Sequence, residues 1–150
     1  MTQSSPSTTI VIGADHAGFP LKQELARYMA SLGYQIMDVG THSDASVDYP
    51  DLAALVARHV QDGSAARGVL VCGSAIGMAM AANRHAGVRA AVLRDRFDAQ
   101  MSREHNDANV ACFGGRVTHA SVANELLALW LATPFAGGRH ERRVRKLDRR

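Results

Sequence analysis

Gly68-Val69-Leu70-Val71-Cys72-Gly73-Ser74-Ala75-Ile76-Gly77 runs from a short apolar segment into a turn of small residues, and Met78 to His85 continues it as a helix. Such a run reads as a buried strand, Val69 to Cys72, handing over to a helix. Gly73 and Gly77 bracket the turn, so backbone N–H groups can crowd there and point at an oxyanion or a phosphate, as helix N-termini and backbone nests do. A thiol beside such a nest can act as a base or a nucleophile. Taken alone, Cys72 serves equally well as a small core residue, and glycine turns are common in α/β proteins. The weight of the stretch depends on what recurs elsewhere.

The strand-then-helix alternation recurs along the chain. Thr8-Thr9-Ile10-Val11-Ile12 is a β-branched run ended by Gly13, followed by Leu21, Leu25, Tyr28, Met29 and Leu32 at helical spacing up to Gly33. Tyr34 to Val39 reads as a second strand, residues 40–48 as a polar loop, and Tyr49-Pro50 as the entry to a helix carrying Leu52, Leu55, Val56 and Val60. Val88 to Leu93 and Asn109 to Phe113 supply strands four and five, with a helix over Asp95 to Arg103 between them. Val122 to Leu131, which contains Trp130 and is apolar over much of its surface, reads as a deeply buried helix. The pattern predicts an α/β fold, a three-layer αβα sandwich with a five-stranded parallel Rossmann-like sheet, closed by a basic C-terminal helix over residues 138–150. Residues 1–150 form a single domain whose residues 1–7 are expected to fray. In such sheets ligands bind at the carboxyl ends of the strands, where Asp15-His16, Cys72-Gly73-Ser74 and Gly114-Gly115-Arg116 fall.

A chain of 150 residues, 47% hydrophobic and 21% charged, has the composition of a globular domain. It is long enough to bury about two-thirds of its unfolded surface. No secretory signal and no run of about 18 apolar residues is present, which points to a cytoplasmic protein with no membrane contact. The two cysteines, Cys72 and Cys112, each close an apolar run and are expected to be reduced thiols; neither has the close partner that a zinc site shows. The net charge of +3 is concentrated in Arg139, Arg142, Arg143, Arg145, Lys146, Arg149 and Arg150. Without interleaved aromatics this tail suits a phosphorylated small molecule or a solvated helix better than nucleic acid.

Three further stretches carry candidate chemistry. Gly13-Ala14-Asp15-His16-Ala17-Gly18 lacks the spacing of a dinucleotide fingerprint, which excludes a nicotinamide site. Asp15 can bind sugar hydroxyls and His16 a hydroxyl or phosphate; the plainer alternative is a helix-capping Asp beside a surface His. Ser102 to Asp107 ends the fourth helix and runs into strand five, placing His105 as a general acid near neutral pH or as a solvated helix cap. Gly137-Gly138-Arg139-His140 opens the last helix, and Arg139 and Arg143, four residues apart, share one face on which they can fork a phosphate.

In order and spacing, these motifs resemble the ribose-5-phosphate isomerase B family, which includes the galactose-6-phosphate isomerase subunits and allose-6-phosphate isomerases. The resemblance is carried by Asp15-His16-Ala17-Gly18 with Lys22, Asp38-Val39-Gly40-Thr41, Asp48-Tyr49-Pro50, Cys72-Gly73-Ser74, Ala82-Asn83, Arg103 to Asn109, Phe113-Gly114-Gly115-Arg116, and Gly137-Gly138-Arg139-His140 with Arg143. It implies a cofactor-free, metal-free aldose–ketose isomerase acting through a cis-enediolate, in a homodimer or dimer of dimers with active sites shared between subunits. Cys72 is then the base that shuttles a proton between C1 and C2. The N–H groups of Gly73, Ser74, Ala75, Ile76 and Gly77 stabilise the enediolate. His105, helped by Ser74, opens the sugar ring, a task that His16 could exchange with it. Asp15, His16 and Asn106 hold sugar and phosphate groups, and Arg116, Arg139 and Arg143 bind the phosphate. Family members commonly carry glycine where Ala75 stands and threonine where Ser74 stands. Alanine there is strained if the turn needs positive φ, and otherwise narrows the pocket. Ribose 5-phosphate is the leading substrate, with erythrose 4-phosphate, allose 6-phosphate or galactose 6-phosphate as alternatives. A sugar-phosphate sensor or nucleic-acid-binding module is the non-enzymatic one.

Overall fold

The computed structural model describes residues 8–148, so the expected fraying of residues 1–7 and the last two arginines lie outside the described residues. Five strands alternate with helices: β1 (Thr9–Ala14), α1 (Phe19–Ser31), β2 (Gln35–Asp38), α2 (Tyr49–Gln61), β3 (Arg67–Cys72), α3 (Ile76–Ala82), β4 (Ala90–Val92), α4 (Arg96–Glu104), β5 (Val110–Gly114), α5 (Ala120–Ala132) and α6 (Arg139–Leu147). Every strand pairing is parallel and the spatial order is β2-β1-β3-β5-β4. The connections turn one way from β1 and the other way from β3. The carboxyl ends of these two strands therefore flank the switch point at which open α/β sheets place their ligands.

Both faces of the sheet are covered, as the apolar runs of β1 and β3 require. On one face Ile10, Ile12, Val69 and Val71 pack beneath α1, α4 and α5, through Leu25, Met29, Ala99, Leu127 and Trp130. On the other, Val11, Leu70, Cys72 and Cys112 pack beneath α2 and α3, through Val56, Ala57, Met78 and Ala82. This is the three-layer arrangement that the alternation predicted.

Some element boundaries differ from expectation. α3 ends at Ala82 rather than running to His85, because the Asn83 side chain turns to the edge strand, donating to the Ala90 carbonyl (2.9 Å) and accepting from the Ala90 N–H (2.7 Å). Residues 85–88 form a turn closed by Val88 N–H to His85 O, which leaves β4 only three residues. α5 is less deeply buried than its composition suggested: Ala123, Leu126, Leu127 and Trp130 form its inner face, while Val122 is 42% exposed. Among the described residues no helix is long and apolar enough to cross a membrane.

Candidate active site

Three turns meet at the carboxyl edge of the sheet. The Asp15 N–H donates to Val71 O (3.1 Å), the Gly115 N–H to Cys72 O (2.7 Å) and the Arg116 N–H to Gly73 O (3.1 Å), so the ends of β1, β3 and β5 are tied together across the switch point. Between them lies a cleft of about 350 Å³ lined by Asp15, His16, Tyr49, Cys72, Gly73, Ser74, Gly77 and Arg116. Cys72, 4% exposed, ends β3 on the floor of this cleft.

Each neighbour is placed by a local physical reason. Arg116 lies over Gly73 so closely that a Cβ there would stand 3.3 Å from its guanidinium, and the Tyr49 ring covers Gly77 at 2.8 Å from the corresponding position. Any side chain at Gly77 would push Tyr49 out of the wall. Ser74 is exposed and its Oγ accepts the Ile76 N–H (3.3 Å), which commits that donor to its own turn. Asp15 accepts the Gly18 N–H on Oδ1 (2.9 Å) and so closes the turn before α1, but the N-cap of that helix is Gly18, so Asp15 lines the cleft without filling the helix-capping role. His16 Nδ1 accepts the Val47 N–H (3.2 Å), which leaves the ring proton on Nε2. The loop that supplies Val47 is anchored in turn by Lys22. This fully buried ammonium pairs with Asp38, whose other oxygen accepts the Gly40 N–H.

Ala75 adopts φ +73° at the entry to α3 and is 1% exposed. The position does require positive φ, and the methyl packs in the core beneath α2 and α3 rather than lining the cleft. Ile76 points the other way and is 60% exposed. Cys112 is fully buried, and desolvation, with Cys72 as a minor contributor, pushes its thiol well above the ordinary range. It is a core residue and not a second reactive thiol.

His105, Asn106, His140 and Arg143 form a separate group lining a cavity of about 330 Å³ with Val144 and Leu147. His105 caps α4, and the chain then enters β5 at Val110. Because Gly68 pairs with Val110 and Cys72 with Gly114, this group sits at the amino edge of the sheet, opposite the Cys72 cleft. A five-residue strand separates the two edges, about 17 Å. The His105 and His140 rings stack at 4.1 Å with planes 13° apart. Burial lowers the His140 pKa from its ordinary value, and the charges of His105, Arg139 and Arg143 push the same way. Arg139 and Arg143 are both exposed on α6. The candidate residues therefore fall into two sets within one chain: Asp15, His16, Cys72, Ser74 and Arg116 at one edge, His105, Asn106, Arg139 and Arg143 at the other.

A family model described as Ribose/Galactose Isomerase matches residues 10–147. The chain belongs to the ribose/galactose isomerase family. Among its relatives in that family, the ribose-5-phosphate isomerase B of Escherichia coli (strain K12) is 42% identical over 135 residues, covering 90% of this chain and 91% of that protein. The ribose-5-P isomerase B of Listeria innocua is 38% identical with the same coverage. Solved ribose 5-phosphate isomerase B structures superimpose closely: that of Thermotoga maritima with TM-score 0.92 at 43% identity over 94% of this chain and 97% of that one, and that of Clostridium thermocellum with TM-score 0.93 at 45% identity over 94% and 95%. Like the rest of the ribose/galactose isomerase family, the chain is an isomerase.

Sequence reasoning gave no role to Tyr49, His140 or Arg103, all within family motifs. Arg103 is 5% exposed and fixes the His105 loop by donating to Thr133 O (3.1 Å), Ala108 O (2.7 Å) and Asp107 Oδ1 (2.8 Å). A charged side chain that hydrophobic periodicity would place outside is here inside, and no local spacing in the sequence signals it.

Proposed function

We propose that the chain interconverts ribose 5-phosphate and ribulose 5-phosphate without a cofactor, through a cis-enediolate, with Cys72 as the carbon base. The observation that carries this reading is the convergence of Cys72, Ser74, Asp15, His16 and Arg116 on one cleft at the switch point. Similarity to chains named ribose-5-phosphate isomerase B supports the substrate. Abstraction of the proton at C2 of the open-chain aldose by the Cys72 thiolate leaves an enediolate. Return of that proton to C1, with a proton moving between O1 and O2, gives the ketose. The stabiliser of the developing oxygen charge is assigned to backbone N–H groups of the turn after Cys72 other than that of Ile76, with Arg116, which lies over Gly73, adding a positive charge beside them. His16, with its proton on Nε2, and Asp15 hold the sugar hydroxyls.

Ring opening and phosphate binding fall to His105, Asn106, Arg139 and Arg143. Since these stand at the opposite edge of the same chain, a complete site takes the Cys72 set from one copy and the His105 set from another. This supports a homodimer or a dimer of dimers. The Ala75 methyl, packed in the core, does not narrow the cleft and gives no reason to prefer a four- or six-carbon sugar phosphate.

The test is turnover in D2O followed by NMR, with ribose 5-phosphate, erythrose 4-phosphate and allose 6-phosphate offered separately. Ribose 5-phosphate is expected to convert fastest, with deuterium entering at the exchanged carbon. Cys72→Ala is expected to lose at least about 100-fold in kcat while keeping its fold. Undiminished turnover by folded Cys72→Ala would overturn the mechanism, and a higher kcat/KM for another sugar would reassign the substrate.

A further inference from the structure

α6 carries His140 and Arg143 but has little of its own to hold it in place. Only His140 and Val144 are buried, and its remaining surface is largely basic and exposed. Its entry is tied by the Ala136 N–H to Glu104 O (3.0 Å). Its far end is tied by its C-cap, Asp148, whose two carboxylate oxygens accept from Arg89 NH1 at 2.9 and 3.0 Å. The two residues are 59 apart in sequence.

Arg89 is itself held from several sides. Its side chain is 17% exposed. Its N–H donates to Asn109 Oδ1 (2.7 Å), Nε to Asp107 O (2.9 Å) and NH2 to Asp107 Oδ2 (3.5 Å). Asp107 also accepts from the buried Arg103. The guanidinium that receives α6 is therefore fixed to the loop that carries His105 and Asn106. Both Asp148 bonds come from NH1, while Nε and NH2 of the same planar guanidinium are held by Asp107, so helix and loop are referred to one rigid group.

We propose that Arg89 and Asp148 are positioning residues, a latch that sets the angle of α6 so that His140 stays stacked on His105 and Arg143 faces the same cavity. The proposal rests on the reading of that cavity as the phosphate-binding half of the isomerase site. The latch touches no reacting atom. It acts on substrate affinity through the helix it holds. A pair that merely stabilised the fold would alter the unfolding midpoint and leave the affinity for phosphate unchanged.

The experiment compares the full-length protein with Asp148→Asn and Asp148→Glu. For Asp148→Asn, KM for ribose 5-phosphate is expected to rise about three- to tenfold with kcat within about twofold, the pattern of lost uniform binding. The Kd for inorganic phosphate, measured by calorimetry, should weaken by a similar factor. The imidazole proton signals of His105 and His140, shifted by ring stacking in the parent, should move toward those of free histidine. Asp148→Glu, which keeps a carboxylate within reach of NH1, should recover most of all three. Unchanged KM, phosphate affinity and imidazole signals in Asp148→Asn would overturn the latch. If the parent itself turns over no ribose 5-phosphate, the substrate assignment fails, and the latch is decided by phosphate affinity and the imidazole signals alone. Should Asp148→Asn lose its fold, Arg89→Lys, which keeps the charge but cannot hold Asp107 and Asp148 on one planar group, is read in the same way.

Discussion

Ala75 tests how far a single backbone angle can be inferred from a motif. Its φ of +73° costs an L-residue about 1–2 kcal/mol. Glycine removes that strain but loses about 0.5–1 kcal/mol to the greater freedom of the unfolded chain, and about 0.8 kcal/mol more with the buried methyl. The terms nearly cancel, so Ala75→Gly is expected to change stability by less than about 1 kcal/mol in urea unfolding. Ala75→Val places a β-branched side chain at positive φ in a packed core and should cost about 3 kcal/mol or more. Because the methyl faces the core, Ala75→Gly should also leave the preference among sugar phosphates within about threefold; a tenfold shift would show that the turn, and not the cleft wall, selects the sugar. The alternation of glycines made the turn legible in the sequence. The sign of φ at Ala75 was not, because an alanine gives no local signal of a strained angle, and only the packing around it shows that the strain is held.

At the level of elements, the strands and helices around the cleft were readable because β-branched runs ended by glycine, and Pro50 in the first turn of α2, are local signals. What joins the elements was less so. Lys22 of α1 is fully buried and reaches Asp38 at the end of β2, which holds the loop that fixes His16. Removing one partner of a buried pair leaves a charge uncompensated, so Lys22→Ala is expected to cost about 3 kcal/mol in urea unfolding. A loss under about 1 kcal/mol would mean that Asp38, itself partly exposed, is satisfied by water. At the other edge, the lowered pKa of His140 on α6 makes stability depend on pH. Below the ordinary imidazole value the unfolded chain takes up a proton that the folded chain resists. The contribution of His140 is therefore fully present above that value and is lost as pH falls through the lower folded one. Unfolding midpoints measured between pH 7.5 and 5 should fall more for the parent than for His140→Gln. Equal slopes would place the sensitivity on another group.

Over the whole molecule, the direction of the chain decides where each motif can act. A loop that follows a strand lies at the carboxyl edge of a parallel sheet, and a loop that leads from a helix into a strand lies at the amino edge. His105 stands between α4 and β5, so its distance from Cys72 was contained in the order of the elements, although a reading by motif alone groups the two together. The stacking of His140 on His105, 35 residues along the chain, had no such signal. If two copies complete each other's sites, Cys72→Ala and His105→Asn fail in different halves of the same site, and each homodimer is inactive. A mixed dimer holds one site built from the intact Cys72 of one chain and the intact His105 of the other, and one site that lacks both. Equal amounts of the two variants, unfolded together and refolded, should pair at random, so that half the dimers are mixed and each carries one working site. Activity should return to about a quarter of the parent value. Recovery near zero, with dimers confirmed by sedimentation, would mean that each site draws Cys72 and His105 from the same chain; a His105→Asn homodimer that keeps its activity would mean that His105 takes no part in the Cys72 site.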